Sequence, residues 1–459
     1  MRVPLVLLLT TWCLTGCGDN GALELPDAPA PTDAPASSDS SDGPSLQARI
    51  NLAVQRITAD TCFAQPDTSG CEWADYGISP AYFNMAVSTG EAILMVDDVG
   101  DGALPQLVRY RNRILGLYRV NGETIEARTP SVHLPKQLGD ALISFADPDF
   151  IPASLLTMVA QAANTAYSKV PLIFLGHAGV VFSHLVELAP EQPLVFLDLT
   201  GLLGLLPSLC AHVDDVALAA ARAHFTAIAS SLRQLMSRHN VRFVNASFGD
   251  TAQTLAADWS RTCGSAVPSQ DVVRQLVHLY DPIYDALFNT EGVITAHASA
   301  NLGDPLDFPF DQVSPAFGNR VRVGFISSMD SGLDEFGRGT VHKAEQFPGH
   351  NSDADVFVNW RCEPFVGCAD PHYELAASFG LGTTALPIMA SSYVDPLGLG
   401  RLINLRYANH DGEPMSNALI QTLKQELTPA LCGQDGAQPC VYQDPIAFRQ
   451  LEVYRQHYR

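Results

Sequence analysis

Short runs of apolar, β-branched residues alternate along the chain with longer stretches of mixed polarity. Such alternation is typical of a parallel sheet that is covered by helices on both faces. The runs that predict strands are residues 92–96, 171–175, 193–197, 241–246, 292–296, 320–326 and 355–358. The pattern therefore predicts a three-layer α/β fold with a mainly parallel central sheet.

Two of the intervening stretches have apolar residues at helical spacing. In the first, which precedes the strand at 241–246, Phe225, Ile228, Leu232 and Leu235 fall on one helix face. Residues 271–288 predict a second helix before the strand at 292–296. These are β-α-β units, and in sheets built from them the functional groups gather at the carboxyl ends of the strands.

The first residues have the pattern of an export signal. Arg2 is followed by an apolar segment up to Leu14 that is too short to span a membrane stably. The sequence Leu14-Thr15-Gly16-Cys17 resembles a lipobox, which implies a signal peptide over residues 1–16 and a lipid on Cys17; an ordinary cleaved signal is the alternative. We therefore expect a cell-envelope protein, lipid-anchored to a membrane that faces the periplasm or the exterior.

Residues 17–45 are rich in Asp, Ala, Pro and Ser, and they have too little apolar surface to fold. They predict a disordered linker between the lipid and one large domain, residues 46–459. The formal net charge of −22 argues against nucleic acid and anionic lipid as partners, because both would repel the chain. The N-terminal lipid is thus the expected membrane contact.

Cysteine usage points to an oxidising compartment. Apart from Cys13 in the signal and Cys17, an even number of cysteines falls in the domain, which suggests disulfides in an exported protein. The candidates are Cys62, Cys71, Cys210, Cys263, Cys362, Cys368, Cys432 and Cys440. One arrangement among several pairs Cys210 with Cys263, Cys62 with Cys71, Cys362 with Cys368 and Cys432 with Cys440. The spacings are too irregular for a zinc site, and no metal ligand is predicted.

Polar side chains follow three of the predicted strands. Asp97 and Asp98 come after the first strand, His177 after the second and Asn301 after the fifth. An acid, a histidine and a carboxamide in this chain order, ahead of a nucleophile, resemble the subtilisin-like serine peptidases. The resemblance implies the subtilisin-like form of the three-layer α/β fold.

The resemblance assigns a role to each of these residues. Asp98-Val99-Gly100 fits the family's Asp-x-Gly motif, so Asp98 is the first choice for the acid that orients the histidine, and Asp97 is the second. His177 lies in a segment similar to His-Gly-Thr-His-Val and is implied as the general base. Asn301, in a segment similar to Ala-x-Gly-Asn-x-Gly, is implied as the donor to the oxyanion.

Residues 244–249 resemble the family's cleft strand, which implies that Ser247 and Gly249 lie beside an extended peptide substrate. The resemblance covers most of residues 75–400. It implies an insertion within residues 101–170, and residues 401–459 form a C-terminal extension.

The nucleophile is where this chain departs from the family. Residues 380–387 are similar to the motif Gly-Thr-Ser-x-Ala-x-Pro, and Thr383 or Thr384 stands at the serine position. A threonine hydroxyl is a competent nucleophile, although its extra methyl crowds the attacked carbonyl. Two hypotheses follow. The first is a peptidase that acts by acyl transfer on extended peptides, and the second is an inactive homologue that binds peptides or an envelope partner.

No cofactor is implied by the motifs. The chain has no phosphate-binding loop, no zinc-protease helix and no Gly-x-Ser-x-Gly elbow. Structural calcium is common in the resembled family, but no ligand set stands out and the EF-hand spacing is absent. The expected partner is a peptide or protein substrate.

Overall fold

The computed structural model describes the chain from Ser45 onward in separate stretches. They are residues 45–60, 71–77, 90–99, 106–110, 113–129, 131–144, 158–159, 161–162, 165, 177–189, 192–249, 252–299, 317–326, 354–359, 391–432 and 441–442. Residues 45–459 cluster as one compact unit. Within these stretches, no helix is both long and apolar enough to span a bilayer. The predicted signal peptide, Cys17 and the linker up to residue 44 lie outside the described residues.

In the described part of the chain, a nine-stranded sheet carries the fold. The described strands of the whole domain, nine of which form this sheet, are β1 (Trp73–Gly77), β2 (Ala92–Asp97), β3 (Ile114–Asn121), β4 (Thr124–Arg128), β5 (Ser131–Pro135), β6 (Leu194–Asp198), β7 (Val241–Ala246), β8 (Ile294–Ala298), β9 (Arg320–Ile326), β10 (Val356–Asn359) and β11 (Val441–Tyr442). The order within the nine-stranded sheet is β11-β10-β9-β8-β7-β2-β6-β3-β4, and in this sheet β4 alone is antiparallel to its neighbour. β1 and β5 form a separate antiparallel pair.

Helices cover both faces of this sheet. They are α1 (Leu46–Ala59), α2 (Gln106–Tyr110), α3 (Lys136–Ser144), α4 (His177–Leu188), α5 (Asp215–Arg238), α6 (Ala252–Cys263), α7 (Gln270–Val277), α8 (Asp281–Asn289), α9 (Ser391–Asn409) and α10 (Asn417–Cys432). Helices α5 to α8 bury their apolar side chains in one core cluster, and the other helices contribute to a second cluster on the opposite face. The predicted three-layer α/β fold with a mainly parallel sheet is confirmed.

The predicted elements agree with the observed ones except at a few ends. The strand predicted at residues 171–175 lies outside the described residues, and each of the other predicted strands overlaps an observed one. The apolar face predicted for the helix before β7 is buried in α5. The helix predicted over residues 271–288 is instead divided into α7 and α8 by a 3₁₀ turn, His278–Tyr280. Asp281 begins the new helix, and Pro282, its second residue, has no N–H with which to continue the ladder of α7.

Helix α9 is enclosed along most of its length. Its residues are buried on all sides, so it lacks the apolar stripe of an amphipathic helix. Two glycines allow this close packing: a Cβ on Gly400 would lie 2.5 Å from Cβ of Leu188, and one on Gly398 would lie 2.7 Å from a methyl of Val323. Because no side chain fits at either position, α9 is held tightly against α4 and β9.

A disulfide joins Cys210 to Cys263, which confirms this predicted pair. Cys71 is also disulfide-bonded, and Cys432 is the last residue of α10. The other candidate cysteines, which lie outside the described residues, are Cys62, Cys362, Cys368 and Cys440.

Removal of the Cys210–Cys263 disulfide is expected to destabilise the domain. The two cysteines are 53 residues apart, and the entropy of closing a loop of this length corresponds to about 4 kcal/mol of stability. The double variant Cys210→Ala/Cys263→Ala should lose roughly that free energy of unfolding in non-reducing urea denaturation. Unfolding curves that coincide for the parent and the double variant would contradict this expectation.

Candidate active site

Three side chains from three elements meet beyond the carboxyl end of β2. Asp97 is the last residue of β2, His177 is the first residue of α4, and Ser392 is the second residue of α9. Nδ1 of His177 lies 2.8 Å from Oδ1 of Asp97, and Nε2 lies 2.8 Å from Oγ of Ser392. The imidazole therefore bridges a carboxylate and a hydroxyl.

These two contacts determine where the protons lie. An ionised carboxylate only accepts hydrogen bonds, so Nδ1 of His177 carries a proton and donates it to Asp97. In the neutral ring, Nε2 is then the acceptor, and the hydroxyl of Ser392 donates to it. The hydroxyl is thus placed to lose its proton to the imidazole, which is the arrangement of a nucleophile beside a general base.

The structure corrects the choice of acid, because the carboxylate that contacts the ring belongs to Asp97 and not to Asp98. Side chains alternate between the two faces of a strand. Ile93 and Met95 of β2 face the core that also contains α4 and α9, and Asp97 continues their register. Asp98 lies beyond the strand and is exposed; its backbone N–H donates to Oδ1 of Asp97 at 2.7 Å and so holds that carboxylate in place.

Electrostatic effects on His177 act in opposite directions. Burial lowers the pKa of His177, but the hydrogen bond to Asp97 and the charges of Asp97 and Asp98 outweigh it, so the pKa is raised above its usual value. The side chain of Asp97 is 2% exposed, whereas that of His177 is 35% exposed. The carboxylate is therefore shielded from solvent, whereas part of the imidazole is accessible.

Ser392 lies in the first turn of α9, where the backbone N–H groups have no acceptor within the helix. Ser391 anchors this turn by donating its hydroxyl to the carbonyl of Ser299, which follows β8. The ring of Tyr393 packs against the imidazole of His177, with 5.2 Å between the ring centroids. The positive end of the helix dipole favours negative charge beside Ser392.

No protein-family model matches the sequence, and the search of curated proteins found no match. A solved structure is similar to this chain. It is Pseudomonas sedolisin, a serine-carboxyl proteinase complexed with two molecules of pseudo-iodotyrostatin. The sequences are 12% identical, the alignment covers 78% of this chain and 88% of the sedolisin chain, and the TM-score is 0.31. At these values the similarity carries no argument about function, which we infer from the geometry of the site.

Sequence reasoning missed Ser392, although the spacing of the family motif contains it. In Gly-Thr-Ser-x-Ala-x-Pro the serine precedes the proline by the same spacing that separates Ser392 from Pro396. Ala390-Ser391 stands in place of Gly-Thr, and Val394 stands in place of Ala, so the match is hidden. The interpretation that a threonine replaces the serine loses its basis, because a serine lies against His177. Thr383 and Thr384 lie outside the described residues.

The remaining predicted site residues fall in different places. Ser247 is buried, and its hydroxyl lies 3.1 Å from the carbonyl oxygen of Ser392, so its side chain faces the interior and not a substrate. Gly249 is exposed beyond the end of β7. Asn301 lies outside the described residues, and its role stays a prediction. Among the described residues, no cluster of His, Cys, Asp or Glu side chains could hold a metal ion.

Proposed function

We propose that this protein is a subtilisin-like serine endopeptidase that acts on extended peptides. The observation that carries the proposal is the position of His177, whose ring nitrogens lie 2.8 Å from the carboxylate of Asp97 and 2.8 Å from the hydroxyl of Ser392. The chain order of Asp, His and Ser is also that of the subtilisins. Asp97 and Ser392 thus take the roles that the sequence had assigned to Asp98 and Thr383.

The reaction is an acyl transfer in two halves. Oγ of Ser392 attacks the carbonyl carbon of the scissile peptide while Nε2 of His177 takes the hydroxyl proton. The imidazolium then gives that proton to the leaving amine, and the acyl group stays on Ser392 as an ester. A water molecule, deprotonated by His177, hydrolyses the ester and restores the enzyme. Throughout, the carboxylate of Asp97 stabilises the imidazolium and keeps its orientation.

The negative oxygen of the tetrahedral intermediate needs hydrogen-bond donors. The backbone N–H of Ser392, in the first turn of α9, is one donor that the described part of the chain offers. The carboxamide of Asn301 is proposed as the second, on the resemblance of its segment to the family's Ala-x-Gly-Asn-x-Gly.

An active enzyme is favoured over an inactive homologue. The hypothesis of an inactive peptide-binding protein depended on the lack of a serine in the matched motif. Ser392 supplies a serine hydroxyl within hydrogen-bonding distance of His177.

We further propose that the enzyme works at the cell envelope, attached through a lipid on Cys17. Leu14-Thr15-Gly16-Cys17 supports the lipid anchor. The Cys210–Cys263 disulfide supports export, because disulfides persist mainly in oxidising compartments.

A fluorophosphonate probe is expected to react with Ser392 of the folded full chain, because an oxygen nucleophile activated by a histidine attacks phosphorus as it attacks a carbonyl. The same protein should cleave unfolded casein. Mass spectrometry of the labelled peptides would locate the modified residue, and His177→Ala is the control that should lose both labelling and cleavage. Labelling at another residue, or no labelling of a chain shown to be folded, would contradict the proposal.

A further inference from the structure

A second carboxyl group lies behind the proposed nucleophile and has no part in the reaction described above. Asp395 follows Ser392 by one turn of α9 and is completely buried. Its Oδ2 atom lies 3.1 Å from the hydroxyl oxygen of Ser247. A buried carboxyl is costly to ionise unless its charge is paired, so the protonation state of Asp395 affects the structure around Ser392.

The hydroxyl of Ser247 has three hydrogen-bond neighbours. The amide nitrogen of Asn245 donates to it at 2.7 Å, and the carbonyl oxygen of Ser392 and Oδ2 of Asp395 each lie 3.1 Å away. A serine hydroxyl has one proton to donate and two lone pairs to accept with. It can therefore donate to Ser392 or to Asp395, but not to both.

All three contacts are satisfied at once only when Asp395 carries a proton. Its O–H then donates to Ser247, whose own proton goes to the carbonyl of Ser392, and Asn245 fills the second lone pair. When Asp395 is ionised, the carboxylate attracts the proton of Ser247, and the carbonyl of Ser392 loses that donor.

The carbonyl of Ser392 depends on this donor because of a proline. In an α-helix each carbonyl accepts the N–H of the residue four positions ahead. For Ser392 that residue is Pro396, which lies inside α9 and has no N–H. The hydroxyl of Ser247 replaces the missing donor at 3.1 Å, and so it fixes the backbone of the residue that carries the nucleophile.

The surroundings of Asp395 also favour the neutral form. Burial, the largest effect, and the negative charge of Asp97 raise the pKa of Asp395 well above its usual value, and the hydrogen bonds from Ser247 and the backbone of Ala246 offset this only in part. Among the described residues, neither Oδ1 of Asp395 nor Oδ2 of Asp97 has a hydrogen-bond partner.

The elements packed against α9 carry few other titratable groups towards Asp395. Asn245 of β7 and Ser247, which follows this strand, are uncharged, and β2 presents Asp97. Helix α4 carries His177 and His184. On the strands, His297 of β8 and Arg320 of β9 lie on the opposite face of the sheet beside Phe288, and Arg322 of β9 is paired with Asp355. On α10, Lys424 donates to the carbonyl of Gly318, and Glu426 is paired with His410.

We propose that Asp395 is a protonated positioning residue, which through Ser247 holds the backbone of Ser392 and gives the enzyme its full activity only in the pH range in which this proton is kept. The inference rests on the proposed peptidase function for its effect on activity. Its effect on stability is independent of that function.

The first test measures stability as a function of pH. The parent is Ser392→Ala, which cannot digest itself and keeps the carbonyl of residue 392, and it is compared with Ser392→Ala/Asp395→Asn. Asparagine matches the protonated carboxyl in size and can donate to Ser247. A group whose pKa is higher in the folded state than in the unfolded state gives its full stabilisation below the unfolded value, and that stabilisation is lost as the pH rises.

We therefore expect the two proteins to have similar urea midpoints near pH 4, the usual pKa of an aspartate. As the pH rises, the folding equilibrium of the parent should worsen relative to the Asn variant by up to roughly tenfold per pH unit. The control is Asp285→Asn in the same Ser392→Ala parent, which alters an exposed carboxylate paired with Arg233. Its stability relative to the parent should not rise with pH in this way. A difference that stays constant with pH, an Asn variant that loses stability relative to the parent as the pH rises, or one that is unfolded at pH 5 would overturn the proposal.

The second test measures peptidase activity with Ser392 intact. The parent enzyme should lose kcat by about fivefold on the alkaline side, the effect of one hydrogen bond, whereas Asp395→Asn should keep its kcat there and match the parent at pH 6. An alkaline loss that persists unchanged in Asp395→Asn would overturn the positioning role. If neither protein cleaves casein or reacts with fluorophosphonate, the proposed function fails, and the stability series still decides whether Asp395 is protonated.

Discussion

Substitution of Ser392 by alanine is expected to lower kcat about 10⁶-fold, the loss known for the nucleophile of a subtilisin, with little change in KM. The hydroxyl of Ser392 is the atom that forms the acyl-enzyme, and its position 2.8 Å from Nε2 of His177 leaves no other described hydroxyl in that place. The measurement is steady-state hydrolysis of a peptide ester or amide by the full chain. Circular dichroism and the urea midpoint should be nearly those of the parent, because only one oxygen atom is removed.

The neighbouring serine provides a matched control. Ser391 lies one residue earlier, and its hydroxyl bonds the carbonyl of Ser299 instead of the imidazole. Ser391→Ala should therefore keep kcat to within roughly tenfold, since it loses a single anchoring hydrogen bond. Equal losses in the two variants, or substantial activity in Ser392→Ala, would exclude Ser392 as the nucleophile and return attention to Thr383 and Thr384.

Asp97→Asn should lower kcat by about 10⁴-fold, the loss known for the same change in a Ser-His-Asp triad. The amide of asparagine can donate to Nδ1 of His177, which would move the ring proton to Nε2 and leave the ring unable to accept from Ser392. The substitution also removes the hydrogen bond and the charge that raise the pKa of His177. Any residual activity should therefore rise at a lower pH than in the parent enzyme.

Asp98→Asn is the informative comparison, because Asp98 fits the family's sequence motif but its exposed carboxylate acts on His177 only through its charge. We expect kcat at high pH to be unchanged within a fewfold. The acidic limb of the pH profile should shift slightly to lower pH, because the pKa of His177 falls when a nearby negative charge is lost. A larger loss in Asp98→Asn than in Asp97→Asn would reverse the assignment.

Much of the fold could be predicted from local pattern. Strand β2 is a continuous apolar run from Ala92 to Val96, and α5 has an apolar stripe; both are properties of neighbouring residues. Helix α9 was missed for the converse reason. It is buried on all sides, so it has no polar face to reveal its period, and Pro396 within it reads as a helix breaker.

The candidate site was predicted in part. The sequence indicated His177, because a histidine at the predicted start of a helix after a strand fits both topology and motif. Its first choice of acid, Asp98, is one residue beyond the carboxylate that contacts the ring, because motif matching does not determine where β2 ends or which face its last side chain takes. Ser247 was interpreted as a cleft residue, whereas its hydroxyl bonds the backbone of Ser392 from within.

The sequence by itself determined the layer architecture and the chain order of aspartate, histidine and hydroxyl residues, because these follow from periodicity and order along the chain. It offered the pairing of Cys210 with Cys263 as one arrangement among several, and the structure selected it. The tertiary structure decided which carboxylate and which hydroxyl reach the imidazole. That choice depends on the register of β2 and on the packing of α9 against α4 and β9, which bring together residues that are far apart in the sequence. The same packing buries Asp395 against Ser247, and this contact, which the sequence does not reveal, decides whether that carboxyl is charged.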